Sequence, residues 1–394
     1  MKQKLTLYPD TFLWIKSETG LIYNSKYFTL FEFKVTKNIS NLCSRLLEFS
    51  NLYTIEVDSS VLCEDEQKFI NKIISSKCGK LSPADTLIIS LPPLLNIQKD
   101  VNKLIRDKSR GIGEGVLKYF TSLTIQTGGE YKNNEYYKQT IYPAHTNDLV
   151  SLETLSKILE EYSTPYLSLI NIVIPNLKQC FDINALLKVL KYYKGICILT
   201  PVDTSNSEAI LRIINEDVKV KLIYDNSESI HSKSLSDING LSYKFIIRNI
   251  KEYNTYYNTV QELDLNKYEM VPVFDYNMDF FEENVFLLKK DLIGSKLSRR
   301  EVFIHQAINT NFFGNITIMP DCKVYSNVNC PAIGCITDSV YDIILHELEN
   351  NYAWRLLRTK EPCNECVWQW MCPSPSNYEF IIGKQNICSI KQLV

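Results

Sequence analysis

Hydrophobic and polar positions follow two different rhythms along the chain, and the first is confined to the N-terminal part. There, three short stretches alternate as strands do: Thr11–Ile15, Leu21–Tyr23 and Thr29–Val35. Ile39–Leu47 and Glu64–Ile74 then place apolar residues at helical spacing. Residues 1–80 are therefore predicted to form a small unit of a three-stranded sheet followed by helices, with Lys77–Pro83 as its exit linker.

The second rhythm is an alternation of strands and helices from residue 81 to 294, which predicts βαβ units and a mostly parallel sheet. The predicted strands are Thr86–Leu91, Leu123–Thr127, Leu167–Ile174, Ile196–Thr200, Val218–Tyr224, Tyr243–Arg248 and Glu269–Val273. Helices are predicted at 149–161, 182–193, 206–215, 252–263 and 277–290. The fold class is α/β, and the pattern suits a full or partial (βα) barrel or an open doubly wound sheet.

Residues 295–394 break this alternation and are predicted to form a third, smaller domain. A helix over 296–309 is followed by a hairpin, Ile316–Met319 with Val324–Ser326, and by a helix over 338–358. Seven of the twelve cysteines lie after residue 320, most of them in the tail that ends the chain. This concentration of cysteines indicates that the third domain has a chemistry of its own.

Composition narrows the function classes. The chain has 394 residues, is 45% hydrophobic and carries a formal net charge of −2. This gives no electrostatic reason to expect a nucleic acid or an anionic membrane as a partner. No secretion signal and no apolar run of membrane-spanning length is visible, so a cytoplasmic location is predicted. Thiols stay reduced there, and clustered cysteines then indicate metal ligands more often than disulfides.

The tail contains the spacing C-x2-C-x5-C-x15-C, formed by Cys363, Cys366, Cys372 and Cys388. A C-x2-C pair brings two thiolates onto one metal through a tight turn, and two more cysteines complete a four-sulfur set. Zinc and a four-cysteine iron–sulfur cluster both suit such a set, and spacing alone does not separate them. The alternative is four free cysteines that pack as small hydrophobic residues.

From Ser295 onward the chain resembles the SPASM domain, the C-terminal extension of radical S-adenosylmethionine enzymes that modify ribosomally made peptides. The resemblance rests on SKLSRREVF, FGNITIMPD, VYSNVNCPAIG and CVWQWMCPSPSNYEFIIGKQNIC. It is closest to the pseudo-radical-SAM proteins of Gly-Gly-leader peptide maturation systems in Bacteroidetes. It implies that Cys363, Cys366, Cys372 and Cys388 hold one auxiliary [4Fe–4S] cluster, in a degenerate radical-SAM-type barrel protein.

The chain also departs from the SPASM pattern. The family's ligand cysteines for a second cluster fall on Ser376 and on Asn327, and the glycine of the hairpin falls on Cys322. A second cluster is therefore not expected. The remaining cysteines of the region, Cys322, Cys330 and Cys335, have no spacing typical of a metal site, and we predict that they pack in the protein.

The catalytic motif of radical-SAM enzymes, C-x3-C-x2-C after the first barrel strand, is missing. The loop after the predicted strand Thr86–Leu91 has no cysteine, and the spacing occurs nowhere in the chain. Cleavage of S-adenosylmethionine is therefore not expected. Gly128, Gly129 and Glu130 follow the next predicted strand, about where active members contact the methionine end of the cofactor. A turn is the favoured interpretation over a vestigial cofactor site.

The combined prediction is a non-catalytic scaffold or recognition partner that binds a precursor peptide, a partner peptide maturase, or both. Thr29–Val35 is a candidate edge strand for adding a peptide, unless residues 1–80 only cap the barrel. Two alternatives stay open. One is a peptide-modifying enzyme that uses the strand ends of the barrel without cleaving adenosylmethionine, and the other is a zinc-stabilised binding protein.

Overall fold

The computed structural model describes residues 2–88, 90–93, 113–203, 207–225, 239–350 and 352–390. The strands are β1 Lys2–Leu7, β2 Thr11–Lys16, β3 Thr19–Asn24, β4 Thr29–Lys34, β5 Thr54–Asp58, β6 Gly79–Pro83, β7 Ser122–Gln126, β8 Gly128–Gly129, β9 Thr146–Leu149, β10 Leu169–Val173, β11 Ile196–Pro201, β12 Lys219–Tyr224, β13 Leu241–Ile247, β14 Tyr268–Pro272, β15 Asn315–Ile318, β16 Lys323–Tyr325 and β17 Gly334–Cys335. The helices are α1 Lys37–Leu47, α2 Glu64–Ser75, α3 Gly113–Leu117, α4 Leu152–Tyr162, α5 Leu177–Cys180, α6 Ile183–Leu190, α7 Ser207–Asn215, α8 Ile250–Glu262, α9 Met278–Asn284, α10 Lys289–Gly294, α11 Arg299–Ala307, α12 Val340–Asn350 and α13 Asn377–Ile382.

The N-terminal unit contains the predicted meander, since β2, β3 and β4 form a three-stranded antiparallel sheet followed by α1 and α2. A second antiparallel sheet of order β5-β1-β6 was not predicted. Its strand β6 occupies the stretch predicted as an exit linker, so that prediction is wrong. Local sequence patterns do not predict this sheet, because the strands that pair in it, β1 with β5 and β1 with β6, lie far apart along the chain.

The largest sheet has nine strands in the order β14-β13-β12-β11-β10-β7-β15-β16-β17 and is mostly parallel. From β7 to β14 its six parallel strands follow one another in chain order. Described helices join them as the strand–helix alternation predicted, except between β12 and β13, where residues 226–238 lie outside the described residues. The predicted strand Thr86–Leu91 is wrong for its described residues, because 86–88, 90 and 91 form no strand and the Leu87 side chain is 89% exposed. The first parallel strand is therefore β7.

The two faces of this sheet are covered differently. Residues such as Ile170, Ile172 and Phe245 face the helices and belong to the main hydrophobic core. On the opposite face, Val173 and Leu199 belong to a smaller apolar cluster that includes tyrosines of segment 131–145. Because strand side chains alternate in direction, the same strands build both layers. Segment 131–145, which follows the first parallel strand, therefore covers the inner face of the sheet.

The C-terminal hairpin is confirmed, but it does not stand apart from the large sheet. Its strand β15 pairs in parallel with β7, and β16 and β17 extend the sheet further. The predicted helix 338–358 ends at Asn350, and the predicted helix 277–290 is divided into α9 and α10. Of the helices within the described residues, none has the length and apolar character that a membrane crossing needs.

Candidate functional site

Four cysteines of the C-terminal tail surround one small cavity. Cys363 begins a short 3-10 helix, and the amide of Cys366 donates to the carbonyl of Cys363 at 3.1 Å, so this tight turn joins the first pair. Cys372 and Cys388 complete the lining of a cavity of about 70 Å³. The structure therefore brings together all four of the cysteines that the sequence spacing selected.

Main-chain hydrogen bonds place the last cysteine, which is separated from the third by fifteen residues. The amide of Leu287 donates to the carbonyl of Ile387, and the amide of Ser389 donates to the carbonyl of Leu287, both at 3.0 Å. These bonds hold Cys388 beside the segment that leads into α10. The position of the fourth thiol thus depends on a part of the chain about a hundred residues earlier.

An apolar cluster that includes the N-terminal sheet packs against Cys366 and Cys372. Val367, Trp368 and Met371 are fully buried and pack in one cluster with Leu21 and Tyr23 of β3. The indole N–H of Trp368 donates to the carboxylate of Glu32 on β4, and Lys289 forms an ion pair with the same carboxylate. No local sequence pattern links β2–β4 to the tail, so this contact was not predicted.

A buried arginine lies beside the thiols. The Nη1 atom of Arg358 is 3.9 Å from Sγ of Cys363, while Nη2 forms a salt bridge of 2.9 Å with Glu379. The Nε atom donates to the carbonyl of Pro373 at 2.6 Å. Both charged side chains are at most 9% exposed, so the guanidinium is held in one orientation at the site. Arg358 was not predicted as part of the site, because no spacing or motif in the sequence links an arginine to the four cysteines.

Electrostatics show what these thiols require. Burial raises the pKa of the Cys372 thiol far above its ordinary value, and the Arg358 charge only partly opposes the rise. Burial also raises the pKa of Cys363, again against the effect of Arg358. Ionisation of Cys363 and Cys372 therefore needs more positive charge nearby than Arg358 supplies. A bound metal centre would supply that charge, and its binding would release the thiol protons.

The cavity also tests what kind of centre the cysteines fit. A single tetrahedral zinc has Zn–S bonds of about 2.3 Å, which places its sulfurs about 3.8 Å apart. Within the described part of the chain, no three Cys, His, Asp or Glu side chains are grouped to hold one metal ion. A four-iron cluster takes one thiolate at each of its irons. The four thiols around about 70 Å³ are a donor set that suits either centre.

A second cavity lies beside the C-terminal domain. Asn327 and Ser376, which are far apart in the sequence, line the same space of about 430 Å³. Asn327 donates to the Asn377 side chain at 2.8 Å, and Ser376 caps α13 with its hydroxyl 2.6 Å from Glu379. No cysteine is among the described residues that line this cavity. The positions are neighbours in space, but their chemistry is that of amides and hydroxyls.

The other three cysteines of this region pack against the main core. Cys322, Cys330 and Cys335 are half-buried beside its apolar residues. Burial raises the pKa of Cys330 to about 11, and its thiol lies 3.5 Å from the carbonyl of Tyr352. This agrees with their predicted role as packing residues.

Segment 131–145 connects the first parallel strand to the rest of the sheet and is bound along the inner face. Gln126 donates to the carbonyl of Tyr142 at 2.9 Å, and the buried ammonium of Lys244 donates to the carbonyl of Ile141 at 3.1 Å. The hydroxyl of Tyr142 donates to Asp225 at 2.6 Å. The segment thus occupies the space beside the carboxyl ends of the parallel strands.

The Gly-Gly-Glu sequence follows the strand predicted at Leu123–Thr127, which is the first described parallel strand and not the second. Gly128 and Gly129 form the short strand β8, which pairs with β9, so the predicted turn is replaced by a strand. Gly128 has φ of 74°, and a Cβ there would lie 2.0 Å from the carbonyl oxygen of Asp148. Backbone geometry therefore explains this glycine.

The charged groups at the strand ends bind one another. Asp225 forms salt bridges with Arg248 at 2.6 Å and with Lys132 at 2.8 Å. Arg248 also pairs with Glu252 at 3.1 Å. The acidic and basic groups that an enzyme could use at this edge are thus engaged in an internal network.

Comparisons with known proteins add no family assignment. No protein-family model matches the chain, and no curated protein matches its sequence significantly.

Proposed function

We propose that this chain is a non-catalytic homologue of SPASM-containing radical-SAM enzymes that acts as a scaffold or recognition partner in the maturation of a ribosomally made peptide. The proposal rests on a contrast between the tail and the segment after the first parallel strand. Four cysteines line a single cavity in the tail, whereas residues 127–151, which follow the first parallel strand, contain no cysteine. The metal-binding part of the SPASM pattern is kept, and the catalytic cluster motif is missing.

The sheet topology supports the relation to radical-SAM barrels. Six parallel strands, β7 and β10–β14, lie in unbroken chain order. A barrel or partial barrel adds strands in one direction, whereas a doubly wound sheet reverses direction at a switch point. The order from β7 to β14 is what a partial (βα) barrel would give, while β15, parallel to β7 at its other edge, also suits an open sheet.

The filled inner face supports the non-catalytic role. Tyr142 and its neighbours occupy the region beside the strand ends, and Asp225 is already bound by Arg248, Lys132 and Tyr142. A cofactor at this edge would have to displace segment 131–145, and with it the hydrogen bond from Tyr142 to Asp225. Such displacement is costly, because Asp225 is a buried carboxylate that loses partners.

Cys363, Cys366, Cys372 and Cys388 would hold one [4Fe–4S] cluster. When bound, the cluster would cross-link the tail and supply a one-electron redox centre. The chain itself contributes the apolar wall around Trp368, which restricts solvent, and the nearby guanidinium of Arg358. Because the same wall contains β2–β4, the cluster would also stabilise the contact with the N-terminal unit.

The N-terminal sheet supports a recognition role. Among the described strands, β4 pairs on one side only, with β3, so its other edge offers unpaired main-chain groups. A peptide can add to such an edge as a further strand. We therefore propose a cytoplasmic partner that receives a precursor peptide at Thr29–Lys34 and works beside a catalytic maturase.

The first test is the metal content of the full chain purified without oxygen. We expect about four irons per chain and a broad visible absorption band, both lost in Cys366→Ala and both kept in Cys335→Ala, the control cysteine outside the site. One zinc and no colour would favour the zinc-stabilised binding protein. Cleavage of adenosylmethionine by the reduced, iron-loaded protein would show that the non-catalytic assignment is wrong.

The recognition role is tested by hydrogen exchange with a synthetic Gly-Gly-leader peptide. Strand addition should slow exchange in Thr29–Lys34 and leave the distant helix Ile250–Glu262 unchanged, because only the pairing edge gains hydrogen bonds. Unchanged exchange in β4 at saturating peptide would exclude this edge as the recognition surface.

A further inference from the structure

The cavity of about 430 Å³ is enclosed by three parts of the molecule: the inner face of the large sheet, segment 131–145 and the C-terminal domain. Its floor consists of two rows of residues across neighbouring strands. One row is Leu169, Ser122 and Asn315, and the other is Asn171, Thr124 and Thr317. Both rows face the cavity because residues two apart on a strand point the same way.

The described side chains that line the cavity are uncharged. Among the described residues that line the cavity, none carries an ionisable acid, lysine, arginine or histidine, and most carry an amide or a hydroxyl. A charged ligand would be desolvated there without a counter-charge, which is unfavourable. A neutral ligand with several donors and acceptors would satisfy the lining.

One buried amide makes a long hydrogen bond to its neighbour. Asn171 is only 5% exposed, and its Nδ2 atom reaches Thr124 Oγ1 at 3.5 Å, the limit for a hydrogen bond. Buried amides are normally well paired, so an amide of this kind at a cavity wall points to a ligand that completes its bonding.

The surrounding walls already bind peptide main chain. Gln126 and Lys244 donate to carbonyls of segment 131–145, as described above. Asn377 and Asn329 of the C-terminal domain donate to the carbonyls of Gln139 at 3.3 Å and Lys138 at 2.7 Å. Segment 131–145 is thus held through its main-chain carbonyls, as a bound peptide would be. The cavity lies next to this segment.

We infer that this cavity binds a short, uncharged peptide segment, read through its main-chain amides by Asn171, Thr124 and Thr317. The inference rests on the proposed role in peptide maturation and names the part of the peptide that this site would receive. At roughly 30 Å³ per water, the cavity equals about fourteen waters, which is room for two or three small residues.

The test uses amide NMR spectra of the full chain titrated with a blocked, neutral glycyl-alanyl-glycine amide. We expect saturable shifts in Ser122–Gln126 and Leu169–Val173, and at least tenfold weaker binding when aspartate or lysine replaces the central alanine. Asn171→Asp should weaken neutral-peptide binding at least tenfold, because it places a charge among the uncharged groups of the lining. The same change at an exposed position, Asn284→Asp, is the control and should have no effect.

Thr317→Val is a second variant in case Asn171→Asp fails to fold. It removes one hydroxyl with little change of shape, and we expect about threefold weaker binding. Absence of saturable shifts would mean that the cavity holds only water and would overturn the inference. Equal binding of neutral and charged peptides, or no effect of Asn171→Asp and Thr317→Val, would overturn it as well. Protection of Thr29–Lys34 by a leader peptide is measured separately, so the recognition role can stand even if the cavity assignment fails.

Discussion

The two cavities to which the C-terminal domain contributes differ in size and in charge. One measures about 70 Å³, is lined by four thiols and has the buried cation of Arg358 beside it. The other measures about 430 Å³ and is lined mostly by amides and hydroxyls, without a charged side chain among its described residues. The comparison teaches that one domain can contribute to two cavities with different requirements for the charge of a ligand.

Hydrogen bonds hold two of the polar groups at the second cavity. Asn327 bonds to Asn377, and Ser376 bonds to the capping carboxylate of Glu379. Glu379 in turn fixes Arg358 at the cysteine site. One helix, α13, therefore supports the walls of both cavities, and changes on either side test whether they are independent.

The largest effect is expected from Cys372→Ala. It removes a nearly buried ligand, so we expect loss of bound iron and a fall in the free energy of unfolding larger than the about 2–5 kcal/mol that truncating a buried apolar side chain costs. Iron analysis and urea unfolding under anaerobic conditions measure both. Cys322→Ala is the control, and full iron content in Cys372→Ala would contradict the assignment of the site.

Arg358→Met should have the next largest effect. It leaves the buried carboxylate of Glu379 without its partner, and breaking such a pair costs about 3–5 kcal/mol. Loss of a positive charge near the thiolates should also make the cluster harder to reduce and lower its reduction potential. Urea unfolding and a redox titration measure the two effects. An unchanged potential would show that the arginine serves only the packing of α13.

Glu269→Gln tests the wall of the amide-lined cavity, because Glu269 pairs at 3.2 Å with Lys244, which anchors segment 131–145. The carboxylate is partly exposed, so we expect a loss of only about 1–2 kcal/mol at pH 7.

This loss should depend on pH with a definite sign. Burial opposes ionisation of Glu269, but the neighbouring lysines Lys244 and Lys221 prevail and hold its pKa below the usual 4.5. The stabilising contribution is therefore fully present above pH 4.5 and declines as the pH falls through the lowered pKa of the folded state. Unfolding of both proteins between pH 3 and 7 measures the difference, and a difference independent of pH would contradict the ion pair's role.

The smallest change in metal content is expected from the double substitution Asn327→Cys with Ser376→Cys. Two thiols in a space of about 430 Å³ do not provide a four-thiolate set, so iron per chain should stay at the unsubstituted level. Loss of the Ser376 cap should cost about 1 kcal/mol of stability. Iron analysis and urea unfolding test both points. A doubling of iron would show that missing thiols alone separate the two cavities.

Much of the fold follows from local patterns. The strand–helix alternation from β7 to β14 and the hairpin of β15 and β16 were predicted because each has a clear periodicity and a buried face. Strands β1, β5 and β6 were missed, and Thr86–Leu91 was wrongly included. A run of apolar residues becomes a strand only when a neighbour is available for pairing, which local sequence does not tell.

The sequence by itself determined the four-cysteine set, because the spacing C-x2-C-x5-C-x15-C is typical of a four-thiolate site whatever the surrounding fold. It also determined that the C-x3-C-x2-C motif is absent, because such a motif is read directly from the order of residues. Only the tertiary structure decided that Arg358 lies beside these thiols, that β3 covers them, and that Asn327 and Asn171 face one cavity. These relations depend on long-range packing between segments, which no local pattern in the sequence reports.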